Sequence, residues 1–503
     1  MRAKLKSEVL AAVLLAAALP IAGCAARRDP STDMAAMALA ASTAPRELSA
    51  DEQAAHALDR LAFGARPGDL DRVRAIGVDA WIARQLHPER IPENDADRLA
   101  AAVTAPFASP ADVVRDIAAS GPGDTTARRL LRRRYAEAGR AVQAARIARA
   151  SGSDRQLQET LVDLWANHFS VFGGKGPVRL YLAQYENEAI RPHVLGKFRD
   201  LLGAVAHSPA MLFYLDNWQS AADSLHPVLA SASGVRAGVR GMRNRRGFAR
   251  RPATPRPMPA GARRPRGVNE NYARELMELH TLGVDGGYTQ HDVIEVARAF
   301  TGWSIAAPRD GGGFVFRPAL HDAGEKHVLG ETIGAGGGEA DGERVLDILA
   351  RRPSTARMVA TTLARRLVSD DPPSTVVDRA ADVYMKTDGD LREVVRSIVT
   401  SPEFFSRAAW RAKVKSPLEL VVSALRAAGF PADSTPRAAR TVAMLGEPLY
   451  GHQTPNGWPE RSTEWLSAGA VADRVNFIAT LVARPQVGDS LRTILVSPDF
   501  QRR

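Results

Sequence analysis

Beyond residue 50, apolar residues recur along the chain at intervals of three and four, the period of helices with one buried face. The stretch "SADEQAAHALDRLAFG" (49–64) opens on Ser49 with Glu52 three residues later and closes on Gly64, so it predicts a capped first helix. "LQETLVDLWANHFSVF" places Leu157, Leu161, Leu164, Trp165, His168 and Phe172 on one stripe and predicts a core-facing helix. "FRDLLGAVAHSPAMLFYLD" breaks at Ser208-Pro209, a helix end followed by a new Ser N-cap with Pro at the first helical position. The same Ser-Pro punctuation returns at 401–402 and 497–498. The fold class expected is therefore mainly α, a multi-helix globular body. Residues 311–339 depart from it: short apolar runs, Phe314–Phe316 and Val328–Leu329, lie between Gly clusters and predict a small β-hairpin or loop subdomain.

Residues 269–303, "NENYARELMELHTLGVDGGYTQHDVIEVARAFTGW", predict two further helices. At 100° per residue, Tyr272, Ala273, Leu276, Leu279 and His280 share one face, and Asn271, Glu275 and Glu278 the opposite one. Gly283 can end the first helix. Thr289, with Asp292 three residues on, caps a second that buries Val293, Val296, Ala297 and Phe300 and ends at Gly302, with Trp303 packing back.

A chain of 503 residues exceeds the usual size of one core, so two or more lobes are expected. With 45% hydrophobic and 24% charged residues the composition is globular. The N-terminus adds a location. Arg2, Lys4 and Lys6 precede an apolar run from Val9 to Leu19, a secretory signal too short to span a membrane. It ends in "LPIAGC", which resembles a bacterial lipobox with Cys24 as the lipidated residue. Residues 1–24 are thus a lipoprotein signal peptide, with Cys24 becoming the mature N-terminus and anchoring the protein to the membrane. Ala25 after the Cys favours the outer membrane or periplasm over inner-membrane retention. Cys24 is the single cysteine, which excludes an intramolecular disulfide. Residues 25–48, rich in Ala, Ser, Thr, Asp and Pro, read as a flexible tether.

The net charge of +11 is local. Between Gly234 and Val268 lie eleven arginines and no acidic residue, an excess equal to that of the whole chain. With its Gly, Pro and single aromatic, Phe248, the segment 221–267 reads as a disordered Arg-rich insertion between an N-terminal helical part (49–220) and a C-terminal one (268–503). Aromatic interleaving is missing, so no nucleic acid is expected; the segment reads either as a solvated insertion with no partner or as one that contacts anionic lipid or polysaccharide. A second basic run, 127–150, has apolar residues near helical period and reads as a body helix with a basic outer face rather than a membrane-surface helix.

In order along the chain, "AAHALDRLAFGARPGD", "LWANHF", "YENEAIRPHVLGKFRDLL", "AVAHSPAMLFYLDN", "NENYARELMELHTLGVDGGYTQHDV", "ARAFTGW", "HDAGEKHVLG", "RRLVSDDPP", "SPEFF", "KSPLEL" and "PNGWPE" resemble the bacterial family catalogued as domain of unknown function 1800. The resemblance runs from about residue 50 to the C-terminus, interrupted by the insertion. It implies an exported protein, often encoded beside a secreted sulfatase-like family that is a possible partner. It supplies no catalytic residues.

Candidate chemistry must therefore come from the residues. No Gly-x-Ser-x-Gly elbow, phosphate-binding loop or dinucleotide fingerprint is present. The helix around 270–280 lacks a chelating His/Glu pair, and "LGVDGGYTQHD" lacks EF-hand ligand spacing, although a divalent metal assembled from several helices is compatible with the sequence. Glu275 and Glu278 on one helix face, with Asn271, and His321-Asp322 in a Gly-bounded loop are the catalytic candidates. His168, His193 and His280 are further polar residues borne on motifs, with His56 and His168 reading as core. Glu275, Glu278, His321 and Asp322 converging in one cleft would make a hydrolytic or metal-dependent enzyme acting on an envelope substrate. The alternative is a non-catalytic binding or assembly protein.

Overall fold

The computed structural model describes residues 45–111, 113, 125–223, 267–307, 310–432, 436–485 and 487–503. The leader with Cys24, most of the tether and nearly all of the Arg-rich insertion lie outside the described residues. Within them the chain forms nineteen α-helices and four short strands. The helices are α1 (Ala50–Leu61), α2 (Asp69–Ile76), α3 (Val78–Gln85), α4 (Asp95–Thr104), α5 (Thr125–Gly152), α6 (Gln156–His168), α7 (Val178–Gln184), α8 (Phe198–His207), α9 (Pro209–Tyr214) and α10 (Glu270–Glu278). They continue as α11 (Gln290–Ala299), α12 (Glu339–Ala350), α13 (Pro353–Leu367), α14 (Ser374–Lys386), α15 (Leu391–Val399), α16 (Pro417–Ala427), α17 (Pro436–Met444), α18 (Ala468–Val482) and α19 (Asp489–Val496). None is long and apolar enough to cross a membrane among the described residues.

The capping signals translate into geometry. Ser49 and Glu52 form the reciprocal capping box of α1, and Thr289 and Asp292 that of α11. Ser208 accepts from Ala210 N with Pro209 at the first position of α9. At 497–498 the same device opens a 3₁₀ turn, and at 401–402 a turn in which Ser401 accepts from Phe404 N. The first helix stops at Leu61, three residues short of Gly64, whose φ of +85° instead turns the chain. On the α6 stripe, Phe169 is buried and Phe172 only half-buried, because the helix ends at His168.

The non-helical stretch holds two hairpins. β1 (Trp303–Ile305) pairs antiparallel with β2 (Phe314–Phe316), Trp303 opposite Phe316; β3 (Lys326–Val328) pairs with β4 (Glu331–Ile333). The apolar run at 314–316 thus finds its partner upstream of the Gly-rich segment, at the Trp303 expected only to pack back.

A continuous hydrophobic core runs from Leu48 to Ala409 and includes residues on both sides of the insertion, so the insertion does not divide the body. Its two ends meet: Ala221 N donates to Gly267 O (3.1 Å) and Ala222 N to Leu320 O (2.8 Å). At the other end of the chain a second cluster gathers α16, α17, α18 and α19 around Leu418, Val422, Val442, Ile478 and Leu495, and joins the body through Phe63, Ile147 and Ala150. The body also begins earlier than residue 49. Leu48 is buried and its N–H donates to Phe405 O, and Arg46 pairs with Asp79 and lies over the Phe405 ring, so the last residues assigned to the tether are packed.

Candidate functional site

The residues singled out from the sequence are separated by the fold. His321 and Asp322 were expected in a loop where exposure is cheap, yet both side chains are sealed from solvent. His321 Nδ1 lies 2.8 Å from Thr301 O and Nε2 3.0 Å from Asp341 Oδ2. Asp322 accepts from Arg298 Nε (2.7 Å), and Arg298 also holds Glu295 at 2.8 Å. Lys326 Nζ, fully buried, donates to Asp322 O, Gly324 O and Asp341 Oδ2. Desolvation works against the Asp322 and Asp341 carboxylates, but the hydrogen bonds of Arg298 and of His321 with Lys326 hold them below the usual range. This closed network ties α11, the 321–326 loop and α12 together, and its members are committed to one another.

Glu275 and Glu278 share a face of α10 as predicted, both half-buried, with Asn271 exposed. Burial and then Glu278 raise the Glu275 carboxyl. Tyr288 Oη donates to Glu278 (3.2 Å), and Arg274 reaches Gln290 of α11 rather than the neighbouring glutamates. No hydrogen bond or ion pair joins this face to His321 or Asp322 in the described structure. His193 is half-buried on a 3₁₀ turn, where burial lowers its ring below the usual value. His56 is core, against Phe404 and Trp410.

His168 and His280 stand elsewhere. His280 is buried in the turn just past the end of α10, its Nε2 without a hydrogen-bond partner, and burial lowers its ring to about 3. His168 ends α6, and its Nε2 lies 3.2 Å from His280 O. A carbonyl can only accept, so Nε2 carries the hydrogen; burial lowers the ring to about 4, so it is neutral and Nδ1 keeps the lone pair.

His168 lines a cleft of about 500 Å³ with Asn167, Thr362 and Arg365 of α13, His452, and the 456–464 segment. Here "LWANHF" and "PNGWPE" meet. Trp458 N donates to Asn167 Oδ1 (2.7 Å) and Asn167 Nδ2 to Trp458 O (2.8 Å), a two-bond clamp that holds the loop on the end of α6. Gly457 makes this approach possible: its φ is +69° and a Cβ there would sit 2.4 Å from Asn167 O. The Trp458 ring packs edge-on against His452 at 4.6 Å and near Trp465, leaving aromatic and amide groups on the cleft wall.

Behind Asn167, Trp458 and Glu460 lies a small, partly open recess of about 30 Å³ in a buried ionic network. Arg366 on α13 contacts Asp163 (2.7 Å), Glu419 (3.2 Å) and Glu460 (3.4 Å). Arg146 on α5 bonds Glu186 (3.0 Å) and Tyr450 Oη (3.0 Å), and Arg191 also holds Glu186. Glu186 sits on the π-helical turn Tyr185–Ile190 that follows α7. Burial opposes ionisation of Glu186 and Glu419, but Arg146 and Arg191, and Arg503 and Arg366, bring them down to about 2. Glu447 behaves oppositely. Burial and then Asp163 push it up to about 8, against hydrogen bonds from Leu418 N (2.7 Å) and the Ser416 side chain. The network therefore contains a proton-bearing carboxyl at neutral pH.

No group of three or more His, Cys, Asp or Glu is placed to hold a metal ion among the described residues. The class defined by this geometry is a mainly α-helical protein with a polar, aromatic-walled cleft over a buried charge network. The chain belongs to the family described as a protein of unknown function, DUF1800, whose model matches residues 56–502. No curated protein and no solved structure matches it.

The cleft was missed at the level of sequence because His168 was read as core and because Asn167 and Trp458 are 291 residues apart. The signal that existed was Gly457 followed by Trp458 in a Pro-bounded turn.

Proposed function

We propose that this chain is an exported, lipid-anchored protein of the cell envelope, anchored at Cys24, that hydrolyses a polar envelope polymer held in the His168 cleft. The observation that carries this reading is the neutral His168 ring: fixed by His280 O and half-buried, it leaves Nδ1 as a base on a wall of amide, aromatic and carboxylate groups. In this scheme His168 takes a proton from water and Glu460 orients it. Asn167, Asn456 and Trp458 hold hydroxyl-rich substrate by hydrogen bonds and ring contact. The anchor would hold the cleft within reach of envelope glycans.

The test is release of reducing ends or acyl groups from purified envelope polysaccharide and peptidoglycan by the purified protein. His168→Ala should lower turnover by about 10²–10⁴-fold, the usual contribution of a general base, with an unchanged circular dichroism spectrum. Polymer retained by the wild-type protein without turnover, and equally by His168→Ala, would favour a non-catalytic binding protein instead.

A further inference from the structure

A second cleft, of about 590 Å³, lies between the end of α1 with the turn after it, the 411–415 connection, and α19 with the turn that follows. Asp59, Arg66, Arg411, Lys415, Phe500 and Arg502 are on its walls. It shares no lining residue with the His168 cleft.

The chain has only eight lysines. Lys175, Lys197, Lys326 and Lys413 each donate to backbone carbonyls, and Lys386 is exposed. Lys415 differs from all of these. It is 4% exposed, its Nζ lies 3.9 Å over the Phe500 ring, and no carbonyl or carboxylate accepts a hydrogen bond from it among the described residues. A buried ammonium without an acceptor is disfavoured relative to the neutral amine. Burial accordingly lowers Lys415 to about 8, Asp59 being the first charge to oppose the shift. Asp59, on the same cleft, is raised by burial. At the edge of the cleft Arg411 holds a left-handed backbone (φ +50°), strain of the kind that a non-glycine residue keeps only where its surroundings impose it.

We propose that Lys415 is a reactive amine that condenses with an aldehyde or ketone carrying an anionic group, drawn into this cleft by Arg502, since Arg66 is held by Asp69 and Asp154 and Arg411 by Asp499. The free amine attacks the carbonyl carbon; the N–C bond forms, and a proton passes from nitrogen to oxygen to give the carbinolamine. Water then supplies the proton with which the hydroxyl leaves, and the Asp59 carboxylate takes the proton that the nitrogen gives up as the neutral imine forms and passes it back to water. The balance is one carbonyl and one amine giving one imine and one water, with no oxidant or reductant. A weakly basic, desolvated lysine beside a carboxyl is the arrangement such chemistry uses.

The protein carrying its whole body from Cys24 onward is treated with pyridoxal 5′-phosphate, trapped with cyanoborohydride, and its six lysines from Lys175 to Lys415 are compared by peptide mass spectrometry. Lys415 should be modified at least about tenfold faster than exposed Lys386, because the neutral amine is the nucleophile. Lys415→Arg should leave labelling of Lys386 unchanged, and Asp59→Asn should slow labelling at Lys415. Pyridoxal, which lacks the phosphate, should label Lys415 more slowly; equal rates would overturn the anionic requirement. Modification that follows exposure and spares Lys415, or reaches it only in denaturant, would overturn the proposal. The wild-type map decides this even if Lys415→Arg fails to fold.

Discussion

Asp341 is 1% exposed and serves both Lys326 Nζ and His321 Nε2, so its loss strands a fully buried lysine without its carboxylate. Asp341→Ala should cost about 3–5 kcal/mol in thermal or denaturant unfolding, the range for breaking a buried pair. Glu278→Ala, on the half-buried face of α10, should cost less than about 1 kcal/mol by the same measurement. Gly457→Ala combines a left-handed backbone with a Cβ against the Asn167 carbonyl, and should cost about 1–3 kcal/mol while loosening the Trp458 clamp, read as a change in tryptophan fluorescence. Glu447 gives a pH signature. Its folded value, raised to about 8, lies above the ordinary 4.5, so the folded state binds the extra proton between these limits. Its contribution is whole below about pH 4.5 and is lost as pH rises through about 8. Glu447→Gln should therefore flatten the decline of stability across that window in denaturant titrations. Glu186 and Glu419, lowered to about 2, act in the other direction: their contribution is present above about pH 4.5 and is lost as pH falls toward 2.

At the scale of the element, α5 behaves as two helices in one. Its C-terminal half carries Ala138, Val142, Ala145 and Ile147 into the core and brings Arg146 into the buried network. Its N-terminal half exposes Arg128, Arg129, Arg132 and Arg133 to solvent. Substituting Arg128, Arg129 and Arg132 by Glu should each shift unfolding by no more than about 0.5 kcal/mol, whereas Arg146→Met should cost about 3–5 kcal/mol, because only the second leaves buried carboxylates uncompensated. The sequence presented all of these as one basic run of helical period. The periodicity identified the helix and its buried face; which arginine met a carboxylate depended on α6, the Glu186 turn and the 450 loop. The hairpins show the same division. Phe314–Phe316 carried a strand signal, but its partner, Trp303–Ile305, carried none: Trp303 was expected only to pack back after Gly302, because three residues are too few to show an alternation.

For the whole molecule, the core is continuous across the insertion, and the described residues on its two sides meet at Ala221 and Gly267. Replacing residues 224–266 with a short Gly-Ser linker should preserve the cooperative unfolding transition, measured by calorimetry, since the ends are already adjacent. The anchor is tested at this scale as well: Cys24→Ala should leave an unprocessed precursor or move the protein from the membrane to the soluble fraction. Mature, lipid-labelled protein in that variant would defeat the anchoring reading.

The sequence by itself determined what is local: the capping boxes at Ser49 and Thr289, the Ser208-Pro209 helix start, the buried faces of α6, α10 and α11, and the confinement of excess charge to one segment. These rest on interactions within a turn or two of the chain, so spacing is enough to read them. Only the tertiary structure decided which polar residues work together. A hydrophobic stripe says that a face is covered without saying by what, and a charged residue carries no mark of the burial that will fix its partner and shift its ionisation. His321 and Asp322, promising in a loop, were enclosed by Arg298, Lys326 and Asp341. His168, dismissed as core, came to stand on a cleft because a loop nearly three hundred residues away was clamped against its helix end.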